Sequence, residues 1–579
     1  MNTVEDKYYQ WSSDGYFDEN TRKELKAIKG NESEIRERFY TELEFGTAGI
    51  RGILGAGTNR INLYVVRRVS YGIAQMLKAK KDTDRGIVIA YDSRHFSYEF
   101  ARETASVFAG NGIKVFLHRE MRPVPLLSFS VRYLKTAAGV MITASHNPKE
   151  YNGYKAYGDD GAQLSPQDSD KVLEVINEIT DYTKVPVYDF DKFLQSGLIE
   201  ILDDRVDKAY IAEIKKLIVD RDILDKTARN FSLVYTPLHG TGALILPPLL
   251  RSIGFEKLAP VEAQMIPDGD FPTVRVPNPE ERDTFDLAMK LAVEVSADLI
   301  LATDPDADRT GVAVKGPDGD YIILNGNQTG VLLLEYILSA KVKNNSMPKN
   351  PFVVSTIVST RLTERICKEY NVDYADVFTG FKFIGEQIKM REEEGSGTYV
   401  FGFEESYGYL PGSYARDKDA VATCMLLAEA ATYHTSKGKT LYDALEDIYK
   451  KYGYYRETQI SVYLRGEEGS QKIKNAMEIL RDQGRNIFES LNITCLKDYE
   501  KEKVYDYAAD KIYPTAMTSV SNVLHYTTDE GWFCVRPSGT EPKLKMYFGA
   551  RGSSEAEADA KVKDLSDTVM AKINNLLGK

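Results

Sequence analysis

Apolar residues return every three or four positions over 61–80, at Val65, Val66, Val69, Ile73, Met76 and Leu77, and this spacing predicts a helix. The unbroken run Gly86-Ile87-Val88-Ile89-Ala90 that follows has the length of a buried strand, and it stops abruptly at the polar Tyr91-Asp92-Ser93-Arg94. A helical stretch at 98–111 and the run Ile113-Lys114-Val115-Phe116-Leu117 repeat that order. A β-branched burst, Ala138-Gly139-Val140-Met141-Ile142-Thr143, then leads directly into Ser145. Helices alternating with short apolar strands predict a layered α/β fold.

The alternation continues downstream. Strands are expected at Phe231–Tyr235, Ala297–Ala302 and Pro351–Val358, helices around 360–369 and, with an amphipathic pattern, at about 418–434. Residues 440–460 read as a tyrosine-rich join carrying Tyr449, Tyr452, Tyr454 and Tyr455, and mixed helix and strand signals follow it. The resulting divisions are 1–215, 216–325, 326–455 and 456–579. In each of the first three, a strand runs into a polar loop, which is where α/β folds commonly hold ligands.

Length agrees with several units, since 579 residues would make roughly three to five domains of ordinary size. The balance of 86 acidic residues against 74 Lys and Arg, a net charge of -12, argues against a broad nucleic-acid surface while leaving room for a local basic pocket. Four cysteines without a CxxC pair make neither a disulfide framework nor a thiolate metal site. The polar start lacks a signal peptide's apolar core, and no apolar run reaches the ~18 residues of a membrane span, so a cytoplasmic protein is expected.

Chemistry concentrates in the loops. Thr143-Ala144-Ser145-His146-Asn147-Pro148 sets a hydroxyl beside an imidazole in a turn-forming context. Ser145 is a candidate nucleophile or phosphate carrier, although the same residues fit a turn in which it caps a helix. Asp304-Pro305-Asp306-Ala307-Asp308-Arg309 has carboxylates at alternate positions, which converge readily on one hard divalent cation, and Arg309 is available to pair with an acid or a phosphate. The loop is not an EF-hand, and by itself it also fits a solvated acidic turn.

Gly402-Phe403-Glu404-Glu405-Ser406-Tyr407-Gly408 offers Glu404 and Ser406 to sugar hydroxyls, or forms a hydrated turn. Arg536-Pro537-Ser538-Gly539-Thr540-Glu541-Pro542-Lys543 presents a guanidinium, hydroxyls and free amides suited to gripping a phosphate, with Lys543 adding positive potential. It lacks the GxxxxGK[ST] pattern of a nucleotide-binding loop. Arg51, in the glycine-rich segment 44–52, is a further phosphate candidate, and Lys155 and Lys418 are candidate proton carriers if their pKa values are lowered. His95 and His239 are isolated and do not make a zinc cluster.

Four chemically different loops in this order, Thr143–Pro148, Asp304–Arg309, Gly402–Ser406 and Arg536–Pro542, resemble the α-D-phosphohexomutase family, in particular its phosphoglucomutase branch. The family's N-terminal Gly-Thr-x-Gly-x-Arg segment is matched by Gly46–Arg51. The resemblance implies a four-domain α/β protein around a central cleft, with a mixed α+β C-terminal domain. It implies Ser145 as the phosphoserine, with Ser145, Asp304, Asp306 and Asp308 around Mg2+ and Glu404 and Ser406 reading the sugar. Arg536, Ser538, Gly539 and Thr540 would hold the nontransferring phosphate, and His146, Lys155 and Lys418 would share proton transfer and phosphate binding.

The implied reaction interconverts glucose 1-phosphate and glucose 6-phosphate, with glucose 1,6-bisphosphate as intermediate and activator. Mannose phosphate and pentose phosphates remain alternative substrates, because Glu404 and Ser406 do not encode one hydroxyl arrangement. A sugar-phosphate-binding protein without activity is the alternative of another class. It would account for the sugar and phosphate loops but gives no reason for a serine and a metal-compatible acidic loop beside them. The expected partner is a small sugar phosphate, without nucleic acid or membrane, and the expected state a monomer or weak homodimer.

Overall fold

The computed structural model describes the chain except residues 1–2, 47–48, 465, 518, 539–541 and 579 and the side chain of residue 467. Four sheets follow one another along the chain. The first has six strands in the order Ile50–Ile53, Tyr151–Gly158, Ala138–Ile142, Ile87–Tyr91, Val115–His118 and Ile199–Leu202, parallel from Ala138–Ile142 onward. Its central strand Ile87–Tyr91 is buried on both faces, as its unbroken apolar sequence requires. Alternate side chains join different cores: Ile87 and Ile89 pack with the helices Leu63–Ala79 and Ser97–Gly110, while Val88 and Ala90 face the core shared with the next region.

The second sheet places Leu299–Thr303 between the parallel neighbour Leu233–Thr236 and the antiparallel Thr310–Lys315. The third sets Pro351–Thr356 beside Thr398–Glu404, also parallel. The helix Ala420–Thr435, expected to be amphipathic, is instead buried from Ala420 to Thr432, because it lies between neighbouring regions within one core that runs through the first three sheets. Its alanine-rich sequence has the small side chains such a position needs.

The C-terminal sheet is antiparallel throughout, seven strands backed by the helices Gly466–Gln483 and Glu555–Leu577. The tyrosine-rich join resolves into the helix Leu441–Tyr452 and the first strand of this sheet, Tyr454–Tyr463, so the 455/456 division falls inside that strand. A small apolar seam docks the sheet on the third region: Ile357, Val358 and Phe378 meet Tyr499, Val523, Trp532, Cys534 and Tyr547. Among the described residues, no helix is long and apolar enough to cross a membrane.

Candidate active site

The strand Ala138–Ile142 delivers Ser145 into a sharp turn, with φ of 53°, in the left-handed region that a side-chain-bearing residue rarely occupies. The Ser145 amide donates to Thr143 Oγ1 at 2.8 Å, and that hydroxyl donates to Asp92 Oδ2 at 2.6 Å. Ser145 is 1% exposed, and its Oγ donates to Asp304 Oδ2 at 2.9 Å and lies 3.1 Å from His146 Nδ1. Burial, reinforced by Arg309 and Arg51, holds the His146 imidazole well below its ordinary pKa, so the ring is neutral. A side chain at Gly153 would collide with the Thr143 and Ile50 carbonyls, so glycine there lets the edge strand Ile50–Ile53 lie beside the loop. From that strand, the exposed Arg51 donates to Asn147 Oδ1 at 3.3 Å.

The acidic loop leaves the end of Leu299–Thr303, and each of Asp304, Asp306 and Asp308 is at most 2% exposed. One oxygen from each lies within 4.8 Å of the others. The loop is tied to three regions: Val124 N–H donates to the Asp306 carbonyl at 2.9 Å, Thr241 N–H to Pro305 at 2.8 Å and Ala420 N–H to Ala307 at 3.2 Å. Lys155 Nζ lies 2.8 Å from Asp306 Oδ2 and 3.2 Å from Asp308 Oδ2, and Lys418 Nζ lies 3.1 Å from the same Asp308 oxygen.

Burial works against both ammonium groups. For Lys155 the Asp306 and Asp308 carboxylates outweigh it, for Lys418 those of Asp308 and Asp417, and both pKa values are raised, opposite to the lowering that the expected role of proton carrier requires. Burial and its two acidic neighbours raise Asp304 well above the carboxylate range, whereas Lys418, Lys155 and Arg309 overcome burial at Asp308 and lower it. Among the described residues, Asp306 Oδ1 and Asp308 Oδ1 are buried without a hydrogen-bond partner. Orphaned carboxylate oxygens are costly, and these two, with Asp304 and the Ser145 hydroxyl, form an all-oxygen set that fits a small hard divalent cation.

Glu404 ends the strand Thr398–Glu404, and its Oε1 accepts the Gly380 amide at 2.6 Å. Burial raises its pKa to about 7. Ser406 is half-buried in the turn that follows. One residue before Gly380, Thr379 Oγ1 receives the Arg536 guanidinium at 2.6 Å, so the 379–380 turn links Glu404 to the C-terminal loop. In that loop the Ser538 amide donates to the Lys543 carbonyl at 2.7 Å, and Lys543 Nζ stands 4.4 Å from the centre of the Tyr463 ring. Gly539 and Thr540 lie outside the described residues. Arg309 pairs with Glu280.

A continuous chain of contacts therefore runs Lys418–Asp308–Lys155–Asp306, with Ser145 held by Asp304 and, through Thr143, close to Asp306. Reasoning from sequence missed Glu280, Asp417, the Thr379–Gly380 turn, and Asp92 with Arg94. Asp92 and Arg94 carried a usable signal, since they stand at the same abrupt polar end of a buried strand that drew attention to Ser145. His239 is occupied structurally, between the Ile266 carbonyl and Thr273.

Residues 42–183, 208–319 and 325–452 match in turn the alpha/beta/alpha domains I, II and III of the phosphoglucomutase/phosphomannomutase family, and residues 495–564 match its C-terminal domain. The chain is 40% identical to the phosphoglucomutase of Staphylococcus haemolyticus over 510 residues, 88% of this chain and 90% of that one. It is likewise 40% identical to the phosphoglucomutase of Staphylococcus aureus strain N315 over 518 residues, 90% and 91% of the two chains. Parafusin, a phosphoglucomutase from Paramecium solved in its open form, shares the fold at a TM-score of 0.69 and 16% identity over 93% of this chain and 97% of that one. A family protein from Burkholderia thailandensis does so at 0.64 and 19%, over 91% and 97%. With all four domains matched in order and this identity across nearly the whole length, the chain belongs to the phosphoglucomutase/phosphomannomutase family.

Proposed function

We propose that the chain is an intramolecular phosphotransferase that interconverts α-D-glucose 1-phosphate and D-glucose 6-phosphate through phospho-Ser145. The observation that carries this reading is the Ser145 hydroxyl at 2.9 Å from Asp304, on a buried acidic cluster faced by Lys155 and Lys418. The 40% identity to phosphoglucomutases supports glucose as the sugar.

In the first half-reaction a sugar hydroxyl attacks the phosphorus of phospho-Ser145. The new P–O bond forms as the P–Oγ bond breaks, the hydroxyl proton leaves to a base, and the serine oxygen is reprotonated. The bisphosphate turns over, and Ser145 Oγ recovers the other phosphoryl group by the reverse step. Asp304, Asp306, Asp308 and Ser145 Oγ would hold Mg2+, which when bound withdraws charge from the transferring phosphoryl group. The ammonium groups of Lys155 and Lys418, held charged by the facing carboxylates, bind phosphate oxygens and screen their developing charge, and His146 orients the Ser145 oxygen. Glu404 and Ser406 receive the sugar hydroxyls. Arg536, Ser538, Gly539, Thr540 and Lys543 grip the phosphate that is not transferred, with Arg51 and Arg309 adding charge near Ser145. The same reading retains a cytoplasmic enzyme, monomeric or weakly dimeric, primed by traces of glucose 1,6-bisphosphate.

The test is a panel of glucose, mannose and ribose 1-phosphates with Mg2+ and trace glucose 1,6-bisphosphate. Isomerisation with highest kcat/KM for glucose is expected. Preference for mannose or ribose phosphate would change the sugar and keep the chemistry, release of inorganic phosphate would indicate a hydrolase, and no turnover of any kind would leave a binding protein. Ser145→Ala is expected to lose both multiple turnover and stable protein-bound phosphate, and phosphate retained elsewhere on the chain would refute the nucleophile.

A further inference from the structure

Arg94 lies beneath the Ser145 turn, 3% exposed. Its Nη1 donates to the Pro148 carbonyl at 2.9 Å and the Tyr151 carbonyl at 3.0 Å, and its Nη2 donates to the Ser145 carbonyl at 2.6 Å and to that of Asn147. One guanidinium thus binds four backbone carbonyls of a single loop. Its Nε lies 3.4 Å from Asp92 Oδ2, and its carbon stands 5.0 Å from the Phe271 ring of the second region.

Asp92 completes the arrangement. Its Oδ1 accepts the Arg94 amide at 3.0 Å and the Ser97 hydroxyl at 2.7 Å, while Oδ2 accepts the Thr143 hydroxyl that in turn receives the Ser145 amide. The loop is therefore fixed at its amide side through Asp92 and Thr143 and at its carbonyl side by Arg94. Both anchors come from the end of the neighbouring parallel strand Ile87–Tyr91.

We propose that Arg94 is a positioning residue for phosphoryl transfer: it clamps the 145–151 backbone so that Ser145 Oγ returns to the same in-line position in both half-reactions. The inference rests on the phosphotransfer reading and adds to it a residue that touches neither sugar nor metal ligand side chain. Ser145 occupies a conformation that an unconstrained chain would leave, so something must hold it there. A planar guanidinium spans several carbonyls in fixed directions, whereas an ammonium offers its donors from one point and cannot reach all four.

The parent protein is first assayed for isomerisation and for phosphate on Ser145. Absence of both defeats the functional reading itself. If the parent is active, Arg94→Lys and Arg94→Ala are compared with it in the full chain, with Mg2+ and glucose 1,6-bisphosphate, well below each variant's Tm. Because a misplacement of ~1 Å costs about 10²-fold, kcat is expected to fall by about that factor in both variants. KM is expected to stay within about threefold, the signature of an interaction used in the transition state.

Added guanidinium ion is expected to restore part of the kcat of Arg94→Ala and none of that of Ser145→Ala. A folded variant with kcat within about threefold of the parent, a loss confined to KM, or absence of rescue would overturn the proposal. Should neither variant fold, hydrogen exchange in the parent decides. The amides of Ser145, Asn147 and Tyr151 are expected to exchange as slowly as those of Ala138–Ile142, and rapid exchange there would show that no clamp exists.

Discussion

Lys155 faces two of the three cluster carboxylates at once, and at 2% exposure it has little water to share that charge with. Replacing it with methionine, which keeps most of the volume, leaves Lys418 as the cation nearest Asp308. If Lys155 moves a proton or screens developing charge, kcat should fall by ~10²–10⁴-fold with much less change in KM. Steady-state kinetics on glucose 1-phosphate give that split, and a rise in KM alone would assign Lys155 to ground-state phosphate binding. At this scale the legible residues were those whose chemistry is written in neighbouring letters. Ser145 and the alternating aspartates are such cases, the latter converging because one tight loop carries them all. Arg94 was marked in the sequence only by its place at a polar strand end; its role was not, since that consists of contacts with main-chain carbonyls of residues 145–151, which no side-chain pattern encodes.

Among the elements, the helix Ala420–Thr435 carries a buried acid that joins separate segments of the chain. Glu429 Oε1 accepts the Val219 amide at 2.9 Å, the Asp220 amide at 2.6 Å and the Tyr336 hydroxyl at 2.9 Å, while Oε2 has no hydrogen-bond partner among the described residues. Burial raises its pKa from an ordinary 4.5 to about 7. The folded state thus binds the proton more tightly than the unfolded chain. The stabilisation is complete below about pH 4.5 and is lost as pH rises through about 7. Glu429→Gln keeps the accepting oxygen and removes the charge, so its Tm relative to the parent should climb between about pH 5 and about pH 8. A difference that is flat with pH would show that Glu429 does not titrate in this range.

Periodicity located most elements well, the expected helix at 61–80 being Leu63–Ala79. It failed where tertiary packing decides. The three short helices Val4–Ser13, Glu19–Ala27 and Glu32–Phe39 are mostly polar, and Trp11 holds the first of them by packing on Phe17, Tyr64 and the distant Tyr182.

Across the whole molecule, the first three regions share one core, whereas the C-terminal sheet reaches that core only at the start of its first strand, Tyr454 and Tyr455, and otherwise adheres to the third region through a small apolar seam and polar ties such as Arg536 to Thr379, among the described residues. If the sheet contributes only the grip on the nontransferring phosphate, Arg536→Gln should raise KM by roughly 10–100-fold, the value of one charge-assisted bond, with a smaller effect on kcat. An equal loss in kcat would mean that this grip is also used in the transition state. The order of the four domains could be read from the chain because each presents its loop at a strand end. The seam could not, since Ile357, Phe378, Tyr499 and Trp532 come from stretches of sequence that look like ordinary core.

Trp532 stacks on His525 at 5.3 Å and lies 5.8 Å from the Arg361 guanidinium across that seam. The chain has only one other tryptophan, Trp11, in the N-terminal core. A Trp11→Phe protein therefore carries a single tryptophan, which can be excited apart from the 37 tyrosines, at the junction of its last domain. Its emission spectrum and quenching make that junction directly observable in a stopped-flow experiment, so the moment at which the C-terminal domain engages a sugar phosphate can be timed without attaching a label.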